Sequence, residues 1–493
     1  MCPDCLNGEA EPAPLTKIAT TASPKTLARL LTLPMCMRLV DSSPREPYYA
    51  TMNILLVNAP HTEDGERVRR FSRPWPPLDL LNCAALLRRG GHDVRLLDYR
   101  AAAVVATEPD RVVAAADRIV VTTTPLDRWQ CPTLDTEATF RFIRGFPGER
   151  TWVAGAHGTM QPEWVLNESG AAGLLIGETE AGIGSIATAA AGAGGPGMAV
   201  VRDGRVEAER AAPIDLATLP VPAFDLLQIE SYHYELLGNR FLVLETARGC
   251  PFGCTFCSRE MYGKPVRRKS GEQVVAEIDR ALADTGFSHA YFIDLEFTFH
   301  RAPVVTLCEE ILARGWSFGW TCQTRFDQID PELLVLMKRA GCRLIHFGVE
   351  TGAERQVKAL KKGLSLEQIR EQHALVQRCG LETALFFLLG HPGETPAEQR
   401  ATIDLAKDLN PDYASFNIVS PYPGTRFYET AGPFDEPFPP FDDHSHEPAA
   451  LEGMRREALR SFYLRPRYLA SRLKPRRLGS ALKGARLLLR LLS

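Results

Sequence analysis

No run of about 18 consecutive apolar residues, the length a helix needs to cross a bilayer, occurs anywhere in the chain. The start also lacks the basic-then-apolar signature of a secretory signal, so the reading is cytoplasmic. There is no excess of charge of either sign: 57 Lys and Arg against 60 Asp and Glu give a net charge of -3 and no general attraction to nucleic acid. The 12 cysteines are scattered rather than set at framework spacing, which excludes the disulfide scaffold of a small secreted domain and fits a reducing compartment.

What is present is a chain of enzyme size. With 493 residues and 45% hydrophobic content it supports two to four domains of about 100 to 200 residues, each with a buried core. Its most informative stretch is Arg248-Gly249-Cys250-Pro251-Phe252-Gly253-Cys254-Thr255-Phe256-Cys257, which follows the apolar run from Phe241 to Leu244. Glycines at 249 and 253 let such a loop fold back so that sulfurs converge, and Pro251 stiffens the turn. Three thiolates on one tight loop can hold three corners of a cubane iron-sulfur cluster and leave the fourth iron open to an external ligand. The plainer alternatives are a zinc site or three unrelated buried thiols. Structural zinc asks for four ligands, usually in two separated pairs, and no second Cys-x-x-Cys lies downstream. Cys2-Pro3-Asp4-Cys5 has no partners nearby and reads as coincidence.

The spacing of Cys250, Cys254 and Cys257, with Phe256 before the last of them, resembles the radical S-adenosylmethionine (SAM) superfamily. The likeness extends over roughly Met52 to Leu464, and its N-terminal part is similar to the cobalamin-binding subgroup. The resemblance implies a 4Fe-4S cluster on the three cysteines, SAM chelated by the open iron, and an external electron donor such as flavodoxin or ferredoxin.

In chain order, residues 1 to 51 mix Pro, Ser, Thr and Ala without a sustained period and are expected to be a disordered extension upstream of the first strand. From 52 to 190, apolar strand runs near 53 to 58, 93 to 97, 118 to 123, 151 to 154 and 173 to 176 alternate with helices such as 77 to 90 and 134 to 145. This predicts a doubly wound, Rossmann-like α/β domain with a parallel sheet. Ligands bind such sheets at the carboxyl ends of the strands. There lie Thr123 in the 122 to 126 turn, Gly155 and His157 in Gly155-Ala156-His157-Gly158, and Gly177-Glu178. They are ordinary tight turns on composition alone. The resemblance makes Thr123, Gly155, His157, Gly177 and Glu178 candidates for contact with cobalamin. The chain has no Asp-x-His-x-x-Gly, the motif whose histidine ligates cobalt in other cobalamin proteins. Trp129, in the loop from Asp127 to Pro132, could cover the lower cobalt face or simply pack.

Residues 191 to 240 are expected to be a connection, opening on the glycine-rich Ala191-Gly192-Ala193-Gly194-Gly195-Pro196-Gly197 and carrying a hairpin around Asp203-Gly204. From 241 to 430, six strand-then-helix repeats predict a partial (β/α)6 TIM-like barrel whose carboxyl-end loops carry the chemistry. Asp294 and Glu296, Arg325, Glu350, His391 and Ser420 follow its later strands and would ring one mouth. Charged groups there are costly unless paired or bound. By resemblance, Phe256, Glu296, Arg325 and Glu350 face SAM, with Arg325 suited to grip its carboxylate. Leu295 stands where relatives commonly have a second acid, leaving open which of Asp294 and Glu296 makes the contact. Lys361 and Lys362 read as solvated and receive no role.

Residues 431 to 493 are expected to form a helical region with a basic tail. Beyond Pro475 a leucine face opposes Lys483, Arg486 and Arg490, a pattern that suits peripheral contact with an anionic membrane surface and equally suits packing on the barrel.

The function expected from these features is methylation of an unactivated carbon, or phosphorus, of a small or lipid-like metabolite. The implied mechanism has a 5'-deoxyadenosyl radical removing a substrate hydrogen, after which the substrate radical takes methyl from methylcobalamin. A radical SAM cyclase or rearrangement enzyme without net methyl transfer is the alternative, and a non-catalytic metal-binding structural protein the rival of another class.

Overall fold

Along Asn53–Asn58 (β1) all residues after the first are buried, and they alternate between two cores. Leu55 and Val57 pack with Ile119, Val121, Phe140 and Val153, while Ile54 and Leu56 pack with Leu80, Val120, Trp152 and Ile183. This two-residue alternation, apolar on both sides, is the mark of a central strand covered by helices on each face. In the computed structural model, which describes residues 50–60, 74–101, 109–188, 193–442 and 444–472, β1 is the first strand in sequence but lies in space between Asp93–Asp98 (β2) and Arg118–Thr122 (β3), in a sheet continued by Thr151–Ala154 (β4) and Gly173–Leu175 (β5). The order is β2-β1-β3-β4-β5, every neighbour parallel. The helices include Leu78–Arg89 (α1), Thr136–Ile143 (α2) and Thr179–Thr188 (α3).

The hairpin expected around Asp203-Gly204 is formed by Met198–Arg202 (β6) and Arg205–Glu209 (β7), with positive φ at both turn residues (51° and 73°). It adds two antiparallel strands to the first sheet, so the sheet continues past the boundary expected at 190. The rest of the connection is likewise seated on both halves. Ala223 N donates to Leu81 O (3.2 Å), Gln273 Nε2 donates to Leu216 O (2.9 Å), and Leu216 and Phe224 are fully buried.

The second sheet runs in strictly sequential order through Phe241–Leu244 (β8), His289–Phe292 (β9), Gly319–Thr324 (β10), Cys342–Glu350 (β11), Glu382–Leu389 (β12) and Tyr413–Ile418 (β13). All its pairs are parallel, the strand order expected of a partial barrel. Its helices are cut by local signals: Ser365 and Thr395 make capping boxes with Gln368 and Glu398. One apolar core joins the halves. Trp75, Leu78, Leu81, Leu126 and Trp129 from the first half belong to the same cluster as Phe292, Trp320 and Phe347 of the second. Trp75 alone meets Tyr234, Phe241 and Tyr291 at 5.1 to 5.2 Å between ring centroids.

Beyond the barrel, the helix Pro448–Tyr463 packs along β13, where the Tyr463 hydroxyl donates to Ala414 O (2.7 Å) and accepts from Ala414 N (3.0 Å). No described helix is long and apolar enough to cross a membrane. The extension expected over 1–51 lies outside the described residues but for its last two, as does the leucine-faced helix expected after Pro475.

Candidate active site

Strand β8 delivers the chain to the cysteine loop through Glu245-Thr246-Ala247-Arg248. Gly249 turns it at φ 98°, and a Cβ there would stand 2.0 Å from Pro265 O, so no other residue fits. The loop is then pinned from three sides. Thr255 N donates to Leu360 O (3.2 Å), Thr255 O accepts from Phe427 N (3.0 Å), and Arg259 Nη1 donates to Phe252 O (2.6 Å). Cys250 is buried, Cys254 and Cys257 partly so, and all three are free thiols. Burial pushes the Cys250 thiol up to about 11, Glu296 and Cys254 adding to it, and burial with the neighbouring sulfurs raises Cys257 well above the ordinary range. Binding of a cationic cluster would therefore release protons from the loop. Among the described residues no group of three or more Cys, His, Asp or Glu side chains converges as around a single ion. A cubane spreads its thiolates over separate irons, so the loop suits it without such convergence.

The strand ends opposite the loop supply the polar ring, rearranged from the sequence expectation. Asp294 is turned away from it: its carboxylate accepts from Thr246 N (2.7 Å) and from the Thr246 hydroxyl, and burial lifts it to about 6. Glu296 is the acid left over. Its Oε2 is buried without a hydrogen bond, and desolvation, opposed by Lys362 and Arg325, raises it to about 8. Arg325 lies flat on Phe252 (3.8 Å to the ring centroid) and places Nε and one Nη on Asp327 at 2.9 and 2.8 Å. The two-pronged grip expected for a ligand is thus taken by Asp327, and the buried, unpartnered Nη1 remains available.

Glu350 holds a left-handed φ of 72° where the β11 to β12 register shifts. Backbone strain of about 1 to 3 kcal/mol is kept at such a place by surrounding contacts. The contact is Lys362, whose Nζ donates to Glu350 Oε1 and to Gly348 O, each at 2.6 Å. Lys362 is no solvated lysine. Its side chain is 11% exposed, and the expectation fails because the pairing spans a bulge that local sequence does not show. His391 packs edge-on to Phe256 (6.2 Å), buried, with neither ring nitrogen hydrogen-bonded, and burial lowers it to about 4. Glu394 Oε1 is likewise buried without a partner.

At the carboxyl edge of the first sheet several expected ligand contacts are already engaged. His157 donates Nε2–H to Thr133 O (2.8 Å) and accepts at Nδ1 from the Thr123 hydroxyl (2.9 Å), so neither nitrogen is left for cobalt. Burial lowers it to about 4, consistent with a neutral ring. A Cβ on Gly155 would lie 2.3 Å from Thr124 Oγ1 and 2.9 Å from Thr123 Oγ1, so this glycine serves strand-end packing rather than ligand approach. Glu178 is held by Arg267 (2.6 and 2.8 Å) and by Ile214 N (2.8 Å), and its carboxylate faces the barrel's cations instead of a cofactor. Gly177 is different: nothing lies within 4 Å of where its side chain would be. Trp129 is fully buried, edge-on to Tyr262 (5.2 Å) with Arg248 over its ring (5.1 Å), the packing alternative. The adjoining Gln130 Nε2 stands 3.9 Å from Cys257 Sγ, bringing the first half against the cysteine loop.

Residues 244–406 match the Radical SAM superfamily. An uncharacterized methyltransferase of Pyrococcus horikoshii is 30% identical over 390 residues, covering 77% of this chain and 83% of that one. The anaerobic magnesium-protoporphyrin IX monomethyl ester cyclase of Rubrivivax gelatinosus is 28% identical over 403 residues, 77% of this chain and 70% of that one. Among solved structures, the radical S-adenosylmethionine methyltransferase TsrM from Kitasatospora setae, with cobalamin and a 4Fe-4S cluster bound, superposes with a TM-score of 0.60 at 19% identity over 78% of this chain and 75% of that one. The cobalamin-dependent S-adenosylmethionine radical enzyme OxsB gives 0.58 at 19% identity over 72% of this chain, which spans 52% of that enzyme. At those identities the likeness is one of fold. With its cysteine loop, sequential parallel sheet and near full-length relative, the chain belongs to the radical SAM superfamily.

Proposed function

We propose that this protein is a cobalamin-dependent radical SAM methyltransferase acting on an unactivated carbon, or phosphorus, of a small or lipid-like metabolite. In this reading Cys250, Cys254 and Cys257 hold a 4Fe-4S cluster, SAM lies in the polar mouth, and cobalamin lies along the carboxyl edge of the first sheet. The observation that carries it is the pair of buried, unpartnered atoms beside the cysteine loop, Glu296 Oε2 and Arg325 Nη1, since a folded protein rarely leaves such atoms unpaired unless a ligand completes them. When bound, the cluster supplies one electron, drawn from a donor such as flavodoxin or ferredoxin, for cleavage of SAM, and cobalamin a carrier for its methyl group.

The chain's own part is placement. Arg325 Nη1 meets a carboxylate, Glu296, protonated near neutral pH, offers a hydrogen-bond donor, and Lys362 fixes Glu350 at the mouth. On the first sheet the room for cobalamin is at Gly177, where nothing lies within 4 Å of a built side chain. His157 offers cobalt no nitrogen, so the corrin would be held by shape and backbone.

The similarity to a cyclase favours a second reading, ring closure without net methyl transfer. Product mass measured with unlabelled and methyl-labelled SAM separates the two. A product carrying the label supports methyl transfer, and an unlabelled product supports cyclisation. Simultaneous replacement of Cys250, Cys254 and Cys257 by Ala should abolish bound iron and sulfide after anaerobic reconstitution. Retention of about four irons in that variant overturns the cluster assignment.

A further inference from the structure

The residue just before the cysteine loop lies in the most heavily charged buried cluster among the described residues. Arg248 has a side chain 0% exposed, and three carboxylates surround it. Glu180 takes two of its nitrogens (2.6 and 3.1 Å), Glu245 accepts from Nε (2.7 Å), and Glu178 stands 3.6 Å away. Glu178 and Glu180 belong to the first sheet, one in the turn after β5 and the other in the first turn of α3. Glu245 belongs to the barrel, as does Arg267, which grips Glu178 with both its terminal nitrogens.

Taking so many charges from water costs several kcal/mol per ion, and an apolar contact of the same volume would hold two domains at least as firmly. What planar, two-pronged pairs give in return is direction: a guanidinium locked between carboxylates fixes both distance and rotation. The two ends of this cluster are also telling. Arg248 is two residues from Cys250, and Glu178 is next to Gly177, the open strand end of the first sheet.

We infer that Arg248, Glu178, Glu180 and Arg267 form a joint that sets the distance and orientation of the cysteine loop relative to the ligand edge of the first sheet. The inference rests on the proposed placement of two cofactors, one on each side of this joint. These are positioning residues: group transfer between the two sides depends on their spacing, whereas cleavage of SAM, which involves the loop and its own mouth, does not.

The test uses full-length, cluster-loaded protein with and without cobalamin, and the variants Glu180→Gln and Arg267→Lys, which keep volume. Amide hydrogen exchange of 249–257 should quicken about tenfold in Glu180→Gln while exchange in the barrel helix 271–285 stays unchanged. Magnetic coupling between cob(II)alamin and the reduced cluster should change. Formation of 5'-deoxyadenosine should remain within about twofold of wild type. Unchanged loop exchange in both variants overturns the joint, and so does a uniform rise across the barrel with parallel loss of SAM cleavage. If Glu180→Gln does not fold, Arg267→Lys, whose side chain is 18% exposed, decides. If wild-type protein holds the cluster but no cobalamin, the cobalamin reading fails and the exchange arm still decides the joint.

Discussion

Replacing Lys362 by Met keeps the length of the side chain and removes its charge, leaving the Glu350 carboxylate, 9% exposed, with no cation. At 2.6 Å the gross attraction is about 6 kcal/mol for an effective dielectric of about 20, but the desolvation of both ions offsets much of it. The expected loss is therefore that of a broken buried pair, about 3 kcal/mol, and most of it is the cost of the abandoned carboxylate. The double variant Lys362→Met, Glu350→Gln removes that carboxylate as well and should be only about 1 kcal/mol below wild type, a coupling of at least about 2 kcal/mol. Urea unfolding of cluster-free protein under anaerobic conditions at pH 8, followed by tryptophan fluorescence with the buried Trp320 as a barrel reporter, measures all four corners of the cycle. Additive single losses, with a coupling under about 0.5 kcal/mol, would show that Lys362 and Glu350 are independent and refute the account of why the strained φ at Glu350 persists.

Asp79 is buried at the first-sheet side of the joint. Burial, with Glu180 adding to it, raises it from 3.8 to about 7, against the opposing pull of Leu126 N–H and Arg248. Between those values the native state holds a proton that the unfolded chain has lost, so its stabilising effect is present at low pH and disappears as pH rises from about 4 to about 7, by at most about 4 kcal/mol. Asp79→Asn should flatten the fall in melting temperature between pH 5 and pH 8, and an identical slope in the variant removes Asp79 as the cause. Gly155→Ala should cost about 2 kcal/mol or more through collision with the paired threonines, whereas Gly177→Ala should cost about 1 to 2 kcal/mol from its backbone alone. Equal melting temperatures for the two variants would contradict the packing described at Gly155.

What could be read from the residues was local. The three cysteines and the turn glycine lie within ten positions, and the strands and helices of the barrel follow short periodic runs ended by caps such as Ser365 and Thr395, so their placement agrees closely with the expectation. What could not be read was pairing at a distance. Glu178 looked like a cofactor contact because it follows a strand end, yet its partner Arg267 lies 89 positions away. His157 has a ring that could ligate cobalt, but Thr133 and Thr123 already occupy both its nitrogens. Lys362 reads as a surface lysine in sequence because its pairing with Glu350 depends on a bulge in β11. Asp294 and Glu296 are two residues apart and face alike in sequence; only the Thr246 hydrogen bonds show which of them is spent on the fold. The glycine-rich start of the connection suggested loose chain, while the hairpin that follows it is the antiparallel edge of the first sheet.

Trp75 has one further consequence, and it concerns the order in which the protein is made. Its indole packs against Phe241 and Tyr291, which leave the ribosome roughly 200 residues later, an interval of about 10 to 40 s at ordinary synthesis rates. Within that interval the remaining strands of the first sheet, up to Glu209, emerge and the sheet can form around its own cores, but the face carrying Trp75, Leu78 and Leu81 has nothing to cover it. The nascent chain therefore carries a sticky aromatic patch through half of its synthesis, and a helper that shields apolar surface, or slow passage through the segment encoding the barrel, should decide how much of it reaches the native state.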